Sequence, residues 1–246
     1  EEIETTGLFG SIRYSVVDGV SLGIEGRYQD DDITSIPSGG GAQLNESFTK
    51  FLPRVTADWE VSDKTMLYAS YSQGNLPGGF NTSVATLTDA QKAELAIVAP
   101  NANVAYDEET LTQYEIGIRT RLFEDRLTSH VALFQMERED QIYRQSFVLT
   151  ASSPTPRIVN ALTNSGKTGI WGVEFEGGFE VTDMVTLGAT LTWTDSEFKK
   201  YNAVDYNAIF GNPDASGQTT PLFPEWMASV SLSLNKPIRG DMSLFG

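Results

Sequence analysis

Residues 66 to 81 read Met66-Leu67-Tyr68-Ala69-Ser70-Tyr71-Ser72-Gln73-Gly74-Asn75-Leu76-Pro77-Gly78-Gly79-Phe80-Asn81. In the first half, Leu67, Ala69 and Tyr71 alternate with Tyr68, Ser70 and Ser72, which is the two-residue period of an extended strand. One edge is apolar and the other mostly hydroxyl-bearing. Pro77, Gly78 and Gly79 then break the strand into a loop. Such a strand suits lipid on one side and a wet interior on the other. These residues alone equally fit one strand of a soluble sandwich, so the flanking sequence has to decide.

Upstream, Leu8, Ile12, Tyr14 and Val16 alternate with Phe9, Ser11, Arg13 and Ser15, and Asp18-Gly19 gives a tight-turn signal. The return strand sets Val20, Leu22, Ile24 and Tyr28 against Ser21, Glu25, Arg27 and Gln29. Residues 30 to 47 read as a loop of about 18 residues, long for a compact soluble domain. It contains Asp30-Asp31-Asp32, whose hard oxygens suit calcium but which lack the further spaced carboxylates of a calcium loop, so it reads as solvated. A strand over 51 to 61 opposes Val55, Ala57 and Trp59 to Arg54, Thr56, Asp58 and Glu60, and the polar turn Ser62-Asp63-Lys64 leads back to Met66.

Downstream, a loop of about 30 residues runs to Tyr106, a length that is normally functional or disordered, and holds a helical piece over 89 to 98. Residues 110 to 123 alternate Tyr114, Ile116, Ile118 and Leu122 with Gln113, Glu115, Arg119 and Arg121, before the turn Glu124-Asp125-Arg126. The next strand, 127 to 147, is about twice the 9 to 11 residues that cross a membrane, so its upper part should project into water. After a loop at Pro154 and Pro156 the chain returns over 157 to 181, with Trp171, Val173, Phe175 and Phe179 opposite Glu174 and Glu176. Thr182-Asp183-Met184 turns it into the cleanest alternation of all, Val185, Leu187, Ala189, Leu191 and Trp193 against Thr186, Gly188, Thr190 and Thr192. A polar loop from Lys199 to Leu222 precedes a strand from Trp226 to Leu234, and a turn over 236 to 241 opens a further strand at Met242.

The short turns fall at Asp18, Asp63, Asp125, Asp183 and Gly240, and the long loops fall between them. Every second connection is short, as in an outer-membrane barrel with periplasmic turns and extracellular loops. Trp59, Phe123 and Phe179 lie beside short turns, whereas Tyr28, Tyr71, Trp171, Trp193 and Trp226 lie towards the long loops, which gives two aromatic girdles. The expected fold is therefore all-β, an antiparallel up-and-down transmembrane barrel.

Composition agrees. No run reaches the roughly 18 apolar residues of a membrane helix. With 33 acidic against 17 basic residues and a net charge of −16, the chain is a poor nucleic-acid binder. It has no cysteine, and no signal peptide opens it.

The opening stretch resembles the Tyr-x-x-Tyr-Ser-x-Gly-x-x-Pro-Gly-Gly-Phe-Asn segment of TonB-dependent outer-membrane receptors. Glu109-Thr110 with Tyr114-Glu115-Ile116-Gly117-Ile118-Arg119 is similar to the strand they write Glu-Thr-x-x-x-Tyr-Glu-x-Gly-x-Lys. Arg126-Leu127 with Ala132-Leu133-Phe134, then Asn164-Ser165-Gly166 with Gly172-Val173-Glu174-Phe175-Glu176, and Pro224-Glu225-Trp226 follow in the family's order. Such receptors close about 22 strands around a plug. The resemblance thus implies that residues 1 to 246 are one partial barrel domain of about ten strands, without the plug, the TonB-box segment or the remaining strands.

It further implies a receptor that binds a scarce nutrient, most often a ferric siderophore, and imports it with energy delivered by the TonB complex through the absent plug. Outer-membrane lipid and lipopolysaccharide are the expected surroundings. No catalytic residue, metal site or resident cofactor is expected. Ligand contacts are expected from aromatic and basic loop residues, with Phe80, Asn81, Tyr143, Arg144, Arg157 and Tyr206 as candidates, since arginine pairs with the anionic oxygens of a ferric chelate. Arg13, Arg27, Arg54, Asp58, Arg119, Arg121, Glu174 and Glu176 should face the lumen, where they could hold a plug or simply keep the wall hydrated. The alternative is a self-contained small barrel: an omptin-like enzyme, a porin or a structural scaffold. His130, the single histidine, lies just after a short turn, at the wrong end for an outer-rim protease, and has no nucleophile arrangement beside it.

Overall fold

A computed structural model of the chain describes every residue except 38–39, 151–154, 203–210, 222, 240–241 and 246. Ten strands form one antiparallel sheet: β1 (Glu2–Val17), β2 (Val20–Ser35), β3 (Leu44–Ser62), β4 (Thr65–Leu76), β7 (Glu109–Leu122), β8 (Leu127–Leu149), β9 (Arg157–Thr182), β10 (Val185–Tyr201), β11 (Trp226–Arg239) and β12 (Met242–Phe245). Each pairs with the next in chain order. Two short strands, β5 (Gly79–Phe80) and β6 (Ala105–Tyr106), pair with each other within the β4–β7 connection. The short turns at Asp18, Asp63, Asp125 and Asp183 join β1–β2, β3–β4, β7–β8 and β9–β10. Gly19 holds φ +76°, which a tight two-residue turn needs and which glycine adopts without steric cost. The turn expected at Gly240 lies outside the described residues.

The register keeps one chemistry on each face. Ser21 pairs with Asp58, and the row continues through Tyr68, Gly117, Ala132, Glu174, Thr192 and Met227. One residue along, the opposite face runs through Leu22, Ala57, Ala69, Ile116, Leu133, Val173, Trp193 and Trp226. Leu22 stands near the β1–β2 turn whereas Trp226 begins its strand at the long-loop end, so a paired row climbs across the sheet. That drift is the strand tilt a closed barrel requires.

Among the described residues, nothing packs over the apolar face. Leu8 is 76% and Val230 75% exposed, and Ile12, Ile24 and Ile116 are also exposed. In water this would be a large uncovered apolar surface; against lipid it is the expected outer wall. The aromatic girdles sit on this face. Trp171 and Trp193 meet edge to face at 4.8 Å, and Tyr71 and Tyr114 lie 5.2 Å apart. The indole N–H of Trp171 donates to Asp195 at 3.1 Å, as suits a ring with one wet end.

The strands run further into the long-loop side than alternation alone indicates. The expected loop 30 to 47 is mostly ladder: Asp30, Asp31 and Asp32 belong to β2 and pair with Thr49, Phe48 and Ser47. Asp31 is buried and accepts from Thr5 and Gln29 at 2.7 Å, while Asp30 turns to the other face and accepts from Ser47. Alternation therefore sends neighbouring carboxylates to opposite faces, so the three cannot converge on one cation. β10 likewise continues past Lys199 to Tyr201, where the loop from Lys199 was expected. Cross-strand bonding replaces local propensity in these polar extensions.

The β4–β7 connection folds on itself. It carries α1 (Thr82–Ala85) and α2 (Asp89–Val98), and the α2 limits match those read from the sequence. Thr88 and Gln91 form a reciprocal capping box, which satisfies helix donors that would otherwise lack partners. Val84, Leu87, Leu95, Ala99 and Ala102 then pack on Phe147, Leu149, Val159 and Ala161 at the top of the β8–β9 hairpin. This small core, outside the lipid-facing wall, fixes the segment over the inner face of the hairpin.

Candidate functional site

The segment enters through Leu76-Pro77-Gly78-Gly79-Phe80-Asn81. A Cβ on Gly78 would stand 2.3 Å from the Tyr106 carbonyl and 2.4 Å from the Phe48 ring, so only glycine lets the chain pass between them. Asn81 follows and is buried. Its amide donates to the Leu162 carbonyl at 2.8 Å and accepts from the Leu162 N–H at 2.7 Å, and it also donates to the Asn103 carbonyl at 2.9 Å. Ser83 donates to the Asn160 carbonyl at 2.7 Å. Asn164 accepts from the Asp107 N–H and donates to the Asp107 carbonyl, both at 2.8 Å, and Glu94 accepts from Thr150. Lys50 pairs with Glu108 at the exit.

Between the end of α2, the β8–β9 hairpin and β10 lies an open cavity of about 520 Å3. Asn101, Gln145, Thr163, Lys167, Lys200 and Asn202 are among its lining residues. The Gln145 amide donates to Thr163, Ser165 and the Asn202 carbonyl at 3.0 to 3.3 Å. Beside it on the same inner face, Tyr143 lies against the tilted ring of Tyr201 at 4.4 Å and meets Phe198 edge to face at 5.9 Å. Burial pushes the Tyr143 phenol above its usual range. Lys167 pairs with Glu137 and Glu139, which push its ammonium up to about 12.

The candidate ligand residues fall in different places. Phe80 and Asn81 reach the level of Leu162, close to Tyr143, which pairs with Thr163. Arg157 stands further out, about 17 Å along the strand at the usual rise, where it donates to Gln91 and Thr86 at 3.3 Å. Arg144 pairs with Leu162 but alternates with Tyr143 and Gln145, so it is exposed on the outer face. Tyr206 lies outside the described residues. The amides of Gln145, Asn101 and Asn202 carry no motif, and only their convergence in the fold reveals them.

Below the cavity the inner wall is polar. The register puts Arg13, Arg27, Arg54, Asp58, Arg119, Arg121, Glu174 and Glu176 on the face opposite the girdles. Arg13 pairs with Asp58 at 2.7 Å, Arg54 approaches Glu25 at 3.9 Å and Arg138 meets the buried Glu109 at 2.5 Å. Arg121 donates to the Asp63 carbonyl at 2.8 Å and sits 3.8 Å from Asp125. Tyr68 donates to Glu115 at 2.6 Å and lies 2.7 Å from His130 Nε2, with the Arg119 guanidinium over its ring at 5.1 Å. Tyr68 has one proton, which Glu115 takes, so His130 is the donor in the second contact. Arg27, Glu174 and Glu176 have no ion-pair partner among the described residues. No group of three metal-ligating side chains occurs among the described residues.

A polar inner wall, a lipid-facing apolar wall, and short turns set opposite a folded outer segment describe a large outer-membrane barrel. The family model "TonB dependent receptor-like, beta-barrel" matches residues 1–245. The chain belongs to this family. TonB-dependent receptor barrels are outer-membrane proteins, and this chain is part of such a wall. It is 25% identical over 186 residues to the ferripyoverdine receptor of Pseudomonas aeruginosa, an alignment covering 75% of this chain and 20% of that protein. The ferric yersiniabactin uptake receptor FyuA of Yersinia pestis superposes with a TM-score of 0.65 at 19% identity, over 99% of this chain and 33% of that one. The siderophore receptor PiuA of Acinetobacter baumannii gives 0.64 at 16% identity, over 94% and 31%. The chain therefore spans between a fifth and a third of the length of these relatives, and the superpositions establish its fold. The family's named members here are receptors and transporters.

Proposed function

We propose that this TonB-dependent receptor barrel serves uptake of a ferric siderophore, and that the cavity between α2, β8–β9 and β10 is part of its outer ligand site. The 25% identity to a ferripyoverdine receptor carries the choice of ligand class. The cavity supports it physically, because Asn101, Thr163, Lys200 and Asn202 give it a polar lining above a polar wall. Phe80, Tyr143 and Arg157 are the candidates on the inner side that could add contacts; Asn81 is already saturated by backbone partners and Arg144 points outward. Arg27, Glu174 and Glu176 are the wall charges best placed to meet a plug, through which the TonB complex would act. Binding and transport, with no bond-making chemistry, account for the site.

The test uses the full-length gene in a host stripped of its own siderophore receptors. The expected result is energy-dependent uptake of radiolabelled iron from at least one ferric siderophore, abolished when TonB is deleted. Uptake that persists without TonB would make the protein a passive pore, and uptake of copper in place of iron would replace the cargo.

A further inference from the structure

The four outer segments, residues 30–50, 77–108, 137–168 and 195–225, hold 16 acidic and 8 basic residues. Four of those bases are spent in ion pairs: Lys50 with Glu108, Arg138 with Glu109, Lys199 with Glu197, and Lys167 with both Glu137 and Glu139. Pairing cancels charge for charge, so the excess stays acidic. Three of the other bases are turned away from the cavity. Arg144 is exposed on the outer face, Lys92 lies on the exposed side of α2, and Arg157 bonds Gln91 and Thr86 further out. At the cavity itself the charged lining is Glu139, Asp140, Lys167 and Lys200. Counting Glu137, which shares Lys167, three carboxylates stand against two ammoniums. Asp140 is set there by the backbone. The β8–β9 register slips between Arg138 and Gln141, Asp140 takes φ +52°, and the Asn164 amide donates to its carbonyl at 2.9 Å. A non-glycine residue in this left-handed conformation costs energy that the surrounding contacts must supply, which marks the carboxylate as a placed charge.

We infer that the ferric complex taken at this cavity is an uncharged one of the tris-hydroxamate type, and not a tris-catecholate; the inference rests on the siderophore reading above. Three hydroxamates bring one negative charge each and neutralise the ferric ion. Three catecholates bring two each and leave a trianion. A trianion meets net negative charge twice, first on approach to the rim and again in the cavity, and like charges slow encounter and cost affinity. An uncharged complex escapes both terms. Its hydroxamate oxygens and amides suit the neutral polar lining of Asn101, Thr163 and Asn202, and its hydrocarbon linkers suit Val98, Pro100 and Phe147.

The experiment is equilibrium dialysis of the full-length receptor in detergent against radiolabelled ferric complexes: ferrichrome, ferric coprogen and ferric desferrioxamine B, all tris-hydroxamates, and ferric enterobactin, a tris-catecholate. The best-bound hydroxamate should exceed ferric enterobactin by at least about tenfold in affinity at low salt, and the gap should narrow as salt screens the rim. The double variant Glu139→Gln, Asp140→Asn removes two negative charges, and asparagine accepts the left-handed backbone at 140. It should shrink the hydroxamate-to-catecholate ratio by about tenfold. Heat-resistant gel mobility reports whether it has folded, and the wild-type ratio needs no variant at all. Equal or tighter binding of ferric enterobactin by the wild type, or an unchanged ratio in the folded double variant, would overturn the inference and leave the siderophore reading standing. Binding of none of the four complexes would overturn the siderophore reading itself.

Discussion

Asn81 does the work of a strand neighbour with a side chain: one amide gives and takes both bonds of the Leu162 peptide. Asn81→Ala strands that N–H and carbonyl in a buried site, at a cost of about 2–3 kcal/mol. Hydrogen exchange across residues 79–107 should accelerate, with protection of β1 to β3 unchanged. Lys167 behaves differently. Glu137 and Glu139 raise its pKa to about 12, so its contribution is complete below the ordinary lysine value and is lost only as pH rises through about 12. The protection factor at this rim, taken against the intrinsic exchange rate at each pH, should be flat from about pH 5 to 9, and a transition in that window would show that the pairing is wrong.

At the scale of elements, the outer segment and the wall are separable. Leu95 is almost wholly buried and joins α2 to the hairpin, so Leu95→Ala should cost about 2–5 kcal/mol. The expected outcome is proteolytic cleavage within 77–108 with the heat-resistant mobility of the barrel retained; loss of both would mean that the two fold as one unit. Alternation made the strands and the short turns legible, and the helical piece over 89 to 98 was legible too, although its Thr88–Gln91 capping box is seen only in the structure. The polar ends of β2, β3 and β10 were not legible, because Asp30-Asp31-Asp32 has the composition of a loop and is held as strand by Phe48 and Thr5 across the sheet. The cavity was hidden for a related reason: Gln145, Lys167 and Asn202 are unremarkable in sequence and meet only through the β8–β9 register and the turn-back after β10.

For the molecule as a whole, the two faces should respond oppositely to charge. Ile116→Arg places a cation against the hydrocarbon and should cost about 2–4 kcal/mol near the bilayer midplane, whereas Ser70→Arg, one pairing away on the inner face, should be nearly neutral. Denaturant titration of the full-length barrel refolded into vesicles measures both. Equal costs would contradict the assignment of faces.

The amide of Asn81 also has a consequence for the crowded outer membrane. Above Tyr201 the hairpin projects without β10 beside it, and the peptide groups of Asn160 and Leu162 would form a bare edge offered to any neighbouring receptor. Exposed edges recruit foreign strands. By taking the Leu162 N–H and carbonyl and the Asn160 carbonyl, Asn81 and Ser83 leave fewer free groups on that edge for a foreign strand to pair with.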